Sequence, residues 1–527
     1  MTDITFITSN QTKIAHARYL CKEYDVNILK HKKLFYGVGY NEPRIYVRDE
    51  LLRESFDDAV KRWKKNVSNP EERLFFIEDT SVKIDALSDD QNEVPGVDVK
   101  YWMQTIDFKT LDEQLKALGN NRKASVSSHI ILFLTDSLKE KLGTKENYRI
   151  FQSTSHGSIT ETEYHIQTQI LYPWLDNKSF NKWFVPDGYS SPISTLKIAD
   201  ADNGDFRRGA FQQMLLFLKQ HEQIKKSPYL MPDLRLQFDD IFIVCGPTCA
   251  GKSTTGRYLV DQYGYYHIEA SEFMTLQYLD THGAKSAIDK HEFAAEMLKV
   301  EPLFVVDKVL EYLQNRGIYD KFIITGFRNR KEVDSFITRF HSTRLKLIYL
   351  NADFNTRYER WVRRKRDADI YTKNRFANID QLQQSMGVGE ISIMNEITNI
   401  DNNRDGLQYL YNNFDTVITS EKSQHFSFDK TTIFQSNKIS LEKAILITLA
   451  LLNQSNETKY YTTTEISKQI NQTFKQFKKN KNNVSRYFNQ SYYLYYEVKK
   501  EGRKIKYKIS PIGYSEAMRI MRQQVDN

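Results

Sequence analysis

Apolar runs that break into polar, glycine-rich or hydroxyl-rich punctuation recur along the chain, and each predicts a strand feeding a loop and then a helix. Asp240-Ile-Phe-Ile-Val-Cys245 is a short apolar run, followed by Gly246-Pro-Thr-Cys-Ala-Gly-Lys-Ser253 and then by Thr254-Thr-Gly-Arg-Tyr-Leu-Val. A continuous apolar run bounded by turn residues reads as a buried strand. Ile4-Thr-Phe-Ile-Thr-Ser-Asn-Gln-Thr-Lys13 repeats the order, and Leu74-Phe-Phe-Ile-Glu-Asp-Thr-Ser81 is a buried strand with two carboxylates at its end. Towards the C-terminus the pattern changes. Leu441-Glu-Lys-Ala-Ile-Leu-Ile-Thr-Leu-Ala-Leu-Leu predicts an apolar helix, and the Thr462 to Glu465 spacing is that of a capping box opening a second. A third helix is expected over residues 482–488, and Tyr492-Tyr-Leu-Tyr-Tyr-Glu-Val with Ile505-Lys-Tyr-Lys-Ile predicts a hairpin turning at Gly502. Strands alternating with helices predict an α/β fold class for most of the chain.

The 527 residues exceed what one core usually organises. Three domains are expected, over 1–225, 238–425 and 435–527, with a linker around Ser227-Pro-Tyr-Leu-Met-Pro-Asp. The longest apolar run, Ala444 to Leu452, is too short to span a bilayer, and the first residues lack the basic start and apolar core of a signal peptide. An intracellular protein of the cytoplasm or nucleus, with no membrane partner, is expected. Cys21, Cys245 and Cys249 are too few and too poorly spaced for a disulfide framework or a metal site. Charge is uneven: residues 431–527 hold 17 Lys and Arg against 7 Asp and Glu, a net +10, whereas the preceding part is nearly balanced at 58 against 60.

Glycines at both ends of the 246–253 octet, Gly246 and Gly251, let the backbone curl so that its N–H groups and the helix start face a polyphosphate. Lys252 adds a point charge, Ser253 offers a hydroxyl to Mg²⁺, and Thr254 follows on the helix. ATP is the expected ligand. With His267-Ile-Glu-Ala-Ser-Glu-Phe-Met274, Phe322-Ile-Ile-Thr-Gly-Phe-Arg-Asn-Arg-Lys-Glu-Val333 and Arg357-Tyr-Glu-Arg-Trp-Val-Arg-Arg-Lys-Arg366, this part resembles the nucleoside monophosphate and dephospho-CoA kinase group. The resemblance implies a parallel-sheet P-loop domain in which Arg328, Arg363, Arg364 and Arg366 clamp phosphoryl oxygens, since planar guanidinium groups bind them bidentately. A solvated helix face is the other reading of the arginine run. Thr325 stands where that group has an aspartate, which leaves Asp353 as a candidate acid for the Mg²⁺ contact.

The N-terminal motifs, together with Val94-Pro-Gly-Val-Asp-Val-Lys-Tyr101 and Phe184-Val-Pro-Asp-Gly-Tyr189, resemble the Ham1, or inosine triphosphate pyrophosphatase, family over residues 1–225. The resemblance implies a homodimer that hydrolyses a purine nucleoside triphosphate to monophosphate and pyrophosphate. It assigns Thr8, Asn10 and Lys13 to the triphosphate, Glu42 and Asp79 with Glu78 to Mg²⁺ and water, and Lys100 to developing charge. A hard cation on oxygen ligands and cations on the leaving pyrophosphate are what this cleavage needs. The base-side positions depart from the family: Phe180 and Asn181 occupy the loop that should grip the purine, Asp187 lies in the PDG turn, and Arg207 and Arg208 replace the usual His-Arg pair. Asp202 stands where a lysine is usual. The bland reading of Glu78-Asp79 is a pair of carboxylates capping a strand end.

The basic C-terminal part resembles a winged helix domain. In that reading Lys478, Lys479, Lys481, Arg486, Arg503, Lys504 and Lys506 form a nucleic-acid face, or a solvated surface on a protein-binding module. Two functions stay open: a Mg²⁺-dependent nucleotide-metabolising enzyme carrying an ATP-binding kinase-like domain, or a nucleotide sensor with weakened sites acting through the basic domain.

Overall fold

The computed structural model describes residues 2–30, 48–89, 92–226, 241–283, 286–316, 321–339, 345–364, 371–395, 397–404, 406–418, 439–474, 476–479, 481–488, 494–502 and 504–525. The chain divides into two compact units, residues 1–230 with 279–288, and residues 231–278 with 289–527.

In the first unit the strands β1 (Thr2–Phe6), β2 (Val26–Lys30), β3 (Leu74–Ile84), β4 (Pro95–Gly96), β5 (Lys123–Phe133), β6 (Tyr148–Ile159) and β7 (Phe184–Pro186) build one mixed sheet. Its order is β2-β1-β3-β5-β6-β7, with β4 pairing β3; β2, β1 and β3 are parallel and the remaining pairs antiparallel. β3 is apolar on both faces because both are covered. Leu74 and Phe76 pack with Ile14 of α1 (Gln11–Cys21), while Phe75 and Ile77 pack with Phe56 of α2 (Arg48–Asn66). A fully covered strand has no need for the polar alternation of a half-exposed one. Asn10 caps α1 by accepting from the backbone N–H groups of Thr12 and Lys13.

The second unit holds an all-parallel sheet of β8 (Ile241–Cys245), β9 (Tyr266–Glu269), β10 (Phe322–Thr325), β11 (Leu345–Asn351) and β12 (Ile397–Asp401), in the order β12-β11-β8-β10-β9. Helices connect the strands, and the chain crosses from one side of β8 to the other, so the carboxyl ends beside β8 form the crevice where such sheets bind ligands. At that end α8 (Lys252–Tyr263) begins from Gly251, whose φ of 116° is in glycine's range. Gly246, at φ 137°, could carry no Cβ, which would sit 2.2 Å from the Leu350 carbonyl oxygen.

Beyond residue 438 the observed order is a helix at Leu441–Ser455, β13 (Tyr461–Thr462), a helix at Thr463–Thr473, a short helix at Lys481–Ser485, β14 (Tyr496–Glu501), β15 (Lys504–Ile509) and a final helix at Pro511–Val525. Thr462 and Glu465 form the expected capping box. The third helix ends earlier than residue 488, and the first hairpin strand is Tyr496–Glu501, while Tyr492 lies outside the described residues. The final helix was not anticipated by the sequence reading. Its buried Tyr514, Ala517, Met518 and Met521 stand at i, i+3, i+4 and i+7, and it packs on the edge strand β9 and on α8. Ser515 accepts from the His267 N–H at 2.9 Å, Tyr514 donates to Asp261 at 2.6 Å, and Arg522 donates to the Val260 and Gly264 carbonyls at 2.8 and 3.0 Å. Among the described residues no helix is long and apolar enough to cross a membrane.

Buried Asn453 ties this region together, donating to the Asn456 and Lys459 carbonyls and accepting from the Ile509 N–H at 3.0 Å. Asn453→Leu leaves these backbone groups without partners, at roughly 1–3 kcal/mol for each group that stays buried. Urea unfolding of the variant is expected to show a loss of at least ~2 kcal/mol.

Candidate functional sites

In the first unit the sequence-predicted carboxylate pair lies mid-strand, not at a strand end. β1 stops pairing with β3 at Phe6 opposite Phe76, but β3 runs on to Ile84, placing Glu78 opposite Ile130 and Asp79 opposite His129 of β5. Capping of a strand end therefore does not explain the pair. Successive strand residues project to opposite faces, so Glu78 shares the face of Phe76 and Asp79 that of Phe75 and Ile77.

Glu78 is almost fully buried and surrounded by donors. Lys13 Nζ lies 3.0 Å from one carboxylate oxygen; Arg207 Nε at 3.1 Å, the Thr80 hydroxyl at 2.8 Å and the Ser128 hydroxyl at 3.0 Å reach the other. Burial alone would raise its pKa, but Arg207 and Lys13 outweigh that and hold the carboxyl well below the usual range. Arg207, expected beside the base, instead spans Glu78 and the Thr80 hydroxyl. Glu78 thus acts as counter-ion to two cations rather than as an open metal ligand.

Asp79 projects to the α2 side of the sheet; Glu42 lies outside the described residues. Among the described residues no group of three or more His, Cys, Asp or Glu side chains is placed to hold a metal. The Thr8 hydroxyl accepts from the Asn10 N–H at 3.2 Å, so Thr8 and Asn10 shape the loop that brings Lys13 forward. Lys100 is exposed on a short helix (Val99–Thr105), with its ammonium 5.7 Å from the Tyr101 ring centroid.

The base-side residues divide. Phe180 packs in the core with Trp183 and Phe184, and Asn181 is buried, donating to the Trp174 carbonyl at 3.3 Å, so both are structural here. Asp187 is exposed, and Arg208 reaches Asn203 at 3.4 Å. An assembly missed in the sequence lies on α1: His16 is buried, stacks on Trp174 at 4.5 Å, and places Nε2 2.9 Å from Asp205, while Tyr19 donates to Asp202 at 2.6 Å. No spacing rule links positions 16, 174 and 205.

In the second unit the phosphate loop folds as expected, with Lys252 Nζ donating to the Gly246 and Pro247 carbonyls at 2.6 and 2.8 Å. The acid beside Ser253 and Thr254 is Glu269, at the carboxyl end of β9, and the sequence reading did not identify it. One Glu269 oxygen accepts from Thr325 at 2.8 Å and lies 3.5 Å from the Ser253 hydroxyl; the other accepts from Ser271 at 2.8 Å. Burial would raise its pKa, but Lys252 and the Ser271 and Thr325 hydroxyls hold it below its ordinary value. Thr325 also meets His267 Nε2 at 2.7 Å, and burial pushes that imidazole down to about 4, so it is neutral at pH 7. Asp353 is exposed at the end of β11, where its N–H donates to Asn403 at 2.6 Å, and it has no part in this cluster. A hard cation needs oxygen ligands, and Ser253 with Glu269 supplies two.

Two glycines permit this packing. A Cβ on Gly326, whose φ is 94°, would lie 2.1 Å from a Glu269 oxygen, and one on Gly256 would lie 2.3 Å from the His267 ring.

The arginines are less concentrated than expected. Arg328 sits where Glu332 accepts from its N–H at 2.7 Å. Arg363 is exposed, 3.3 Å from Glu359, and Arg366 lies outside the described residues. Arg360, not singled out in the sequence, donates to the Asn402 carbonyl at 2.8 Å and to the Cys249 carbonyl of the phosphate loop at 3.5 Å.

Residues 4–217 match the Ham1 family and residues 242–380 match a family described as AAA domain. A UPF0200 protein of Pyrococcus horikoshii is 27% identical over 100 residues, 19% of this chain and 52% of the relative, so the chain spans about half the length of the curated relative it matches. Among solved structures, the Staphylococcus aureus Ham1 protein is 17% identical with a TM-score of 0.30, covering 42% of this chain and 99% of that one. A gluconokinase from Sinorhizobium meliloti is 14% identical with a TM-score of 0.24, covering 34% and 93%. By the family matches, the N-terminal part thus carries a Ham1 family domain, followed by an AAA domain.

Gly326→Ala forces the Glu269 carboxylate aside. ATP affinity measured with Mg²⁺ by calorimetry is expected to fall at least tenfold. A second test concerns Glu332, which is buried and has its pKa raised to about 7 from 4.5 by that burial. The folded state keeps the proton up to about pH 7, whereas the unfolded chain releases it near 4.5, so this group's contribution to stability falls as pH rises through that window. Glu332→Gln removes the effect: in urea unfolding the variant should gain on the native protein between pH 4.5 and 7.

Proposed function

We propose that the first unit hydrolyses a purine nucleoside triphosphate to the monophosphate and pyrophosphate with Mg²⁺, and that the second unit binds ATP and Mg²⁺ for phosphoryl transfer. The observation carrying the first half is the Glu78 node, which fixes Lys13 and Arg207 beside the loop of Thr8 and Asn10. In hydrolysis, water bonds to the α-phosphorus, the bond to the bridging oxygen of the β-phosphate breaks, and the water proton is released. Lys13 would neutralise charge on the departing pyrophosphate, and Asp79, with Glu42, would hold Mg²⁺. In the second unit Lys252 would turn from its carbonyl partners to the phosphates, while Ser253 and Glu269 would hold the metal.

One observation favours the sensor alternative. Arg207, expected at the base, is committed to Glu78, and Asn181 is buried in the core, so two base-side positions are turned inward. A nucleotide bound without a purine grip turns over slowly.

Pyrophosphate release with Mg²⁺ over canonical and deaminated triphosphates separates the readings. Asp79→Asn and Lys13→Ala are expected to lower it at least a hundredfold, and Lys252→Ala to leave it unchanged. No release from any triphosphate, with thermal stabilisation by one of them, would establish the sensor.

A further inference from the structure

In the second unit the end of the helix Phe354–Arg364 and the β14–β15 hairpin line a groove of about 610 Å³. Its cations are Arg363, Arg364, Lys459, Lys499, Lys504 and Lys506; its carboxylates are Glu465 and Glu501. Both carboxylates are already engaged. Glu465 closes the capping box with Thr462, and Glu501 pairs with Lys506 at 2.5 Å and Lys499 at 3.7 Å. Lys499 stands directly opposite Lys506 in the hairpin, with Glu501 reaching both. Arg363 has an exposed i,i+4 partner, an arrangement that holds it weakly. Six cations against two carboxylates leave the recess with an excess of four positive charges, arranged for an anion.

The groove shares Arg364, Thr458 and Tyr460 with a smaller cavity of about 150 Å³, lined by Ser253 and Thr254 at the start of α8 and by Tyr514. The basic recess therefore adjoins the phosphate-loop end of the sheet, with Tyr460 at the junction.

We propose that this groove binds the phosphodiester backbone of a single-stranded nucleic acid and directs it toward the phosphate loop. Duplex DNA is read by elements that protrude into its grooves, whereas here the cations line a recess that the ligand must enter. A single strand fits such a channel, its phosphates on the cations. The winged-helix mode shares Lys504 and Lys506 with this groove, but it adds Lys478, Lys479, Lys481 and Arg486 of the third-helix region and owes nothing to Arg363 or Arg364. Binding in the groove is independent of turnover at either nucleotide site.

The test is fluorescence anisotropy of the full chain with a labelled oligothymidylate. Affinity is expected to fall with salt at a log–log slope of about −2 to −3, as several neutralised phosphates require. Arg363→Glu with Lys504→Glu, both exposed and so compatible with folding, should weaken binding at least tenfold and flatten that slope; Lys504→Gln alone should weaken it severalfold. Unchanged binding in these variants, equally tight binding of a duplex of the same length, or equal competition by thymidine monophosphate at matched phosphate concentration would overturn the proposal.

Discussion

A carboxylate taken out of water stays ionised only where cations and hydroxyls replace its hydration, and each unit is arranged round one such group. In the first, Glu78 draws Lys13 from α1 and Arg207 from the helix after Asp205 to one point on β3. In the second, Glu269 gathers Ser253, Ser271 and Thr325, with neutral His267 behind Thr325. Removing a single partner of a buried charge costs far more than the pair contributes, so these nodes constrain their neighbours strongly. They also leave positive charge beside a loop, which is what a triphosphate requires.

The second node reaches beyond its sheet. His267 lies against Gly256 of α8, and its N–H is held by Ser515 of the final helix, while Tyr514 bonds Asp261 and the Arg257 guanidinium lies 3.2 Å from its ring centroid. The edge strand that bears Glu269 is thus clamped from the outside by residues more than two hundred positions later in the chain. Such a clamp covers an edge that would otherwise expose unpaired backbone groups.

Local chemistry was legible in the sequence where it depended on neighbours in the chain. The Gly246 to Ser253 loop, the Thr462 to Glu465 capping box and the apolar strand before Glu78 all follow from short-range rules of backbone conformation and burial. What the sequence hid depended on distant pairing. Nothing near Thr325 shows that its missing carboxylate is supplied by Glu269 from the adjacent strand, or that Gly326 is there to admit it. Asp353 looked suitable because it ends a strand, but β11 lies on the far side of β8 from β9 and β10. Arg207 was misplaced for the same reason: position after a motif gives a side chain's origin, not the charge it folds onto. The final helix carries its apolar period openly in the sequence, at Tyr514, Ala517, Met518 and Met521.

The most direct measurement is ATP affinity with and without Mg²⁺ for the native protein and for Glu269→Gln, which keeps shape and hydrogen bonding but removes the charge. If Glu269 and Ser253 hold the metal, Mg²⁺ strengthens ATP binding in the native protein and has little effect in the variant. An equal gain from Mg²⁺ in both would contradict the account, placing the metal elsewhere and reducing Glu269 to a structural counter-ion.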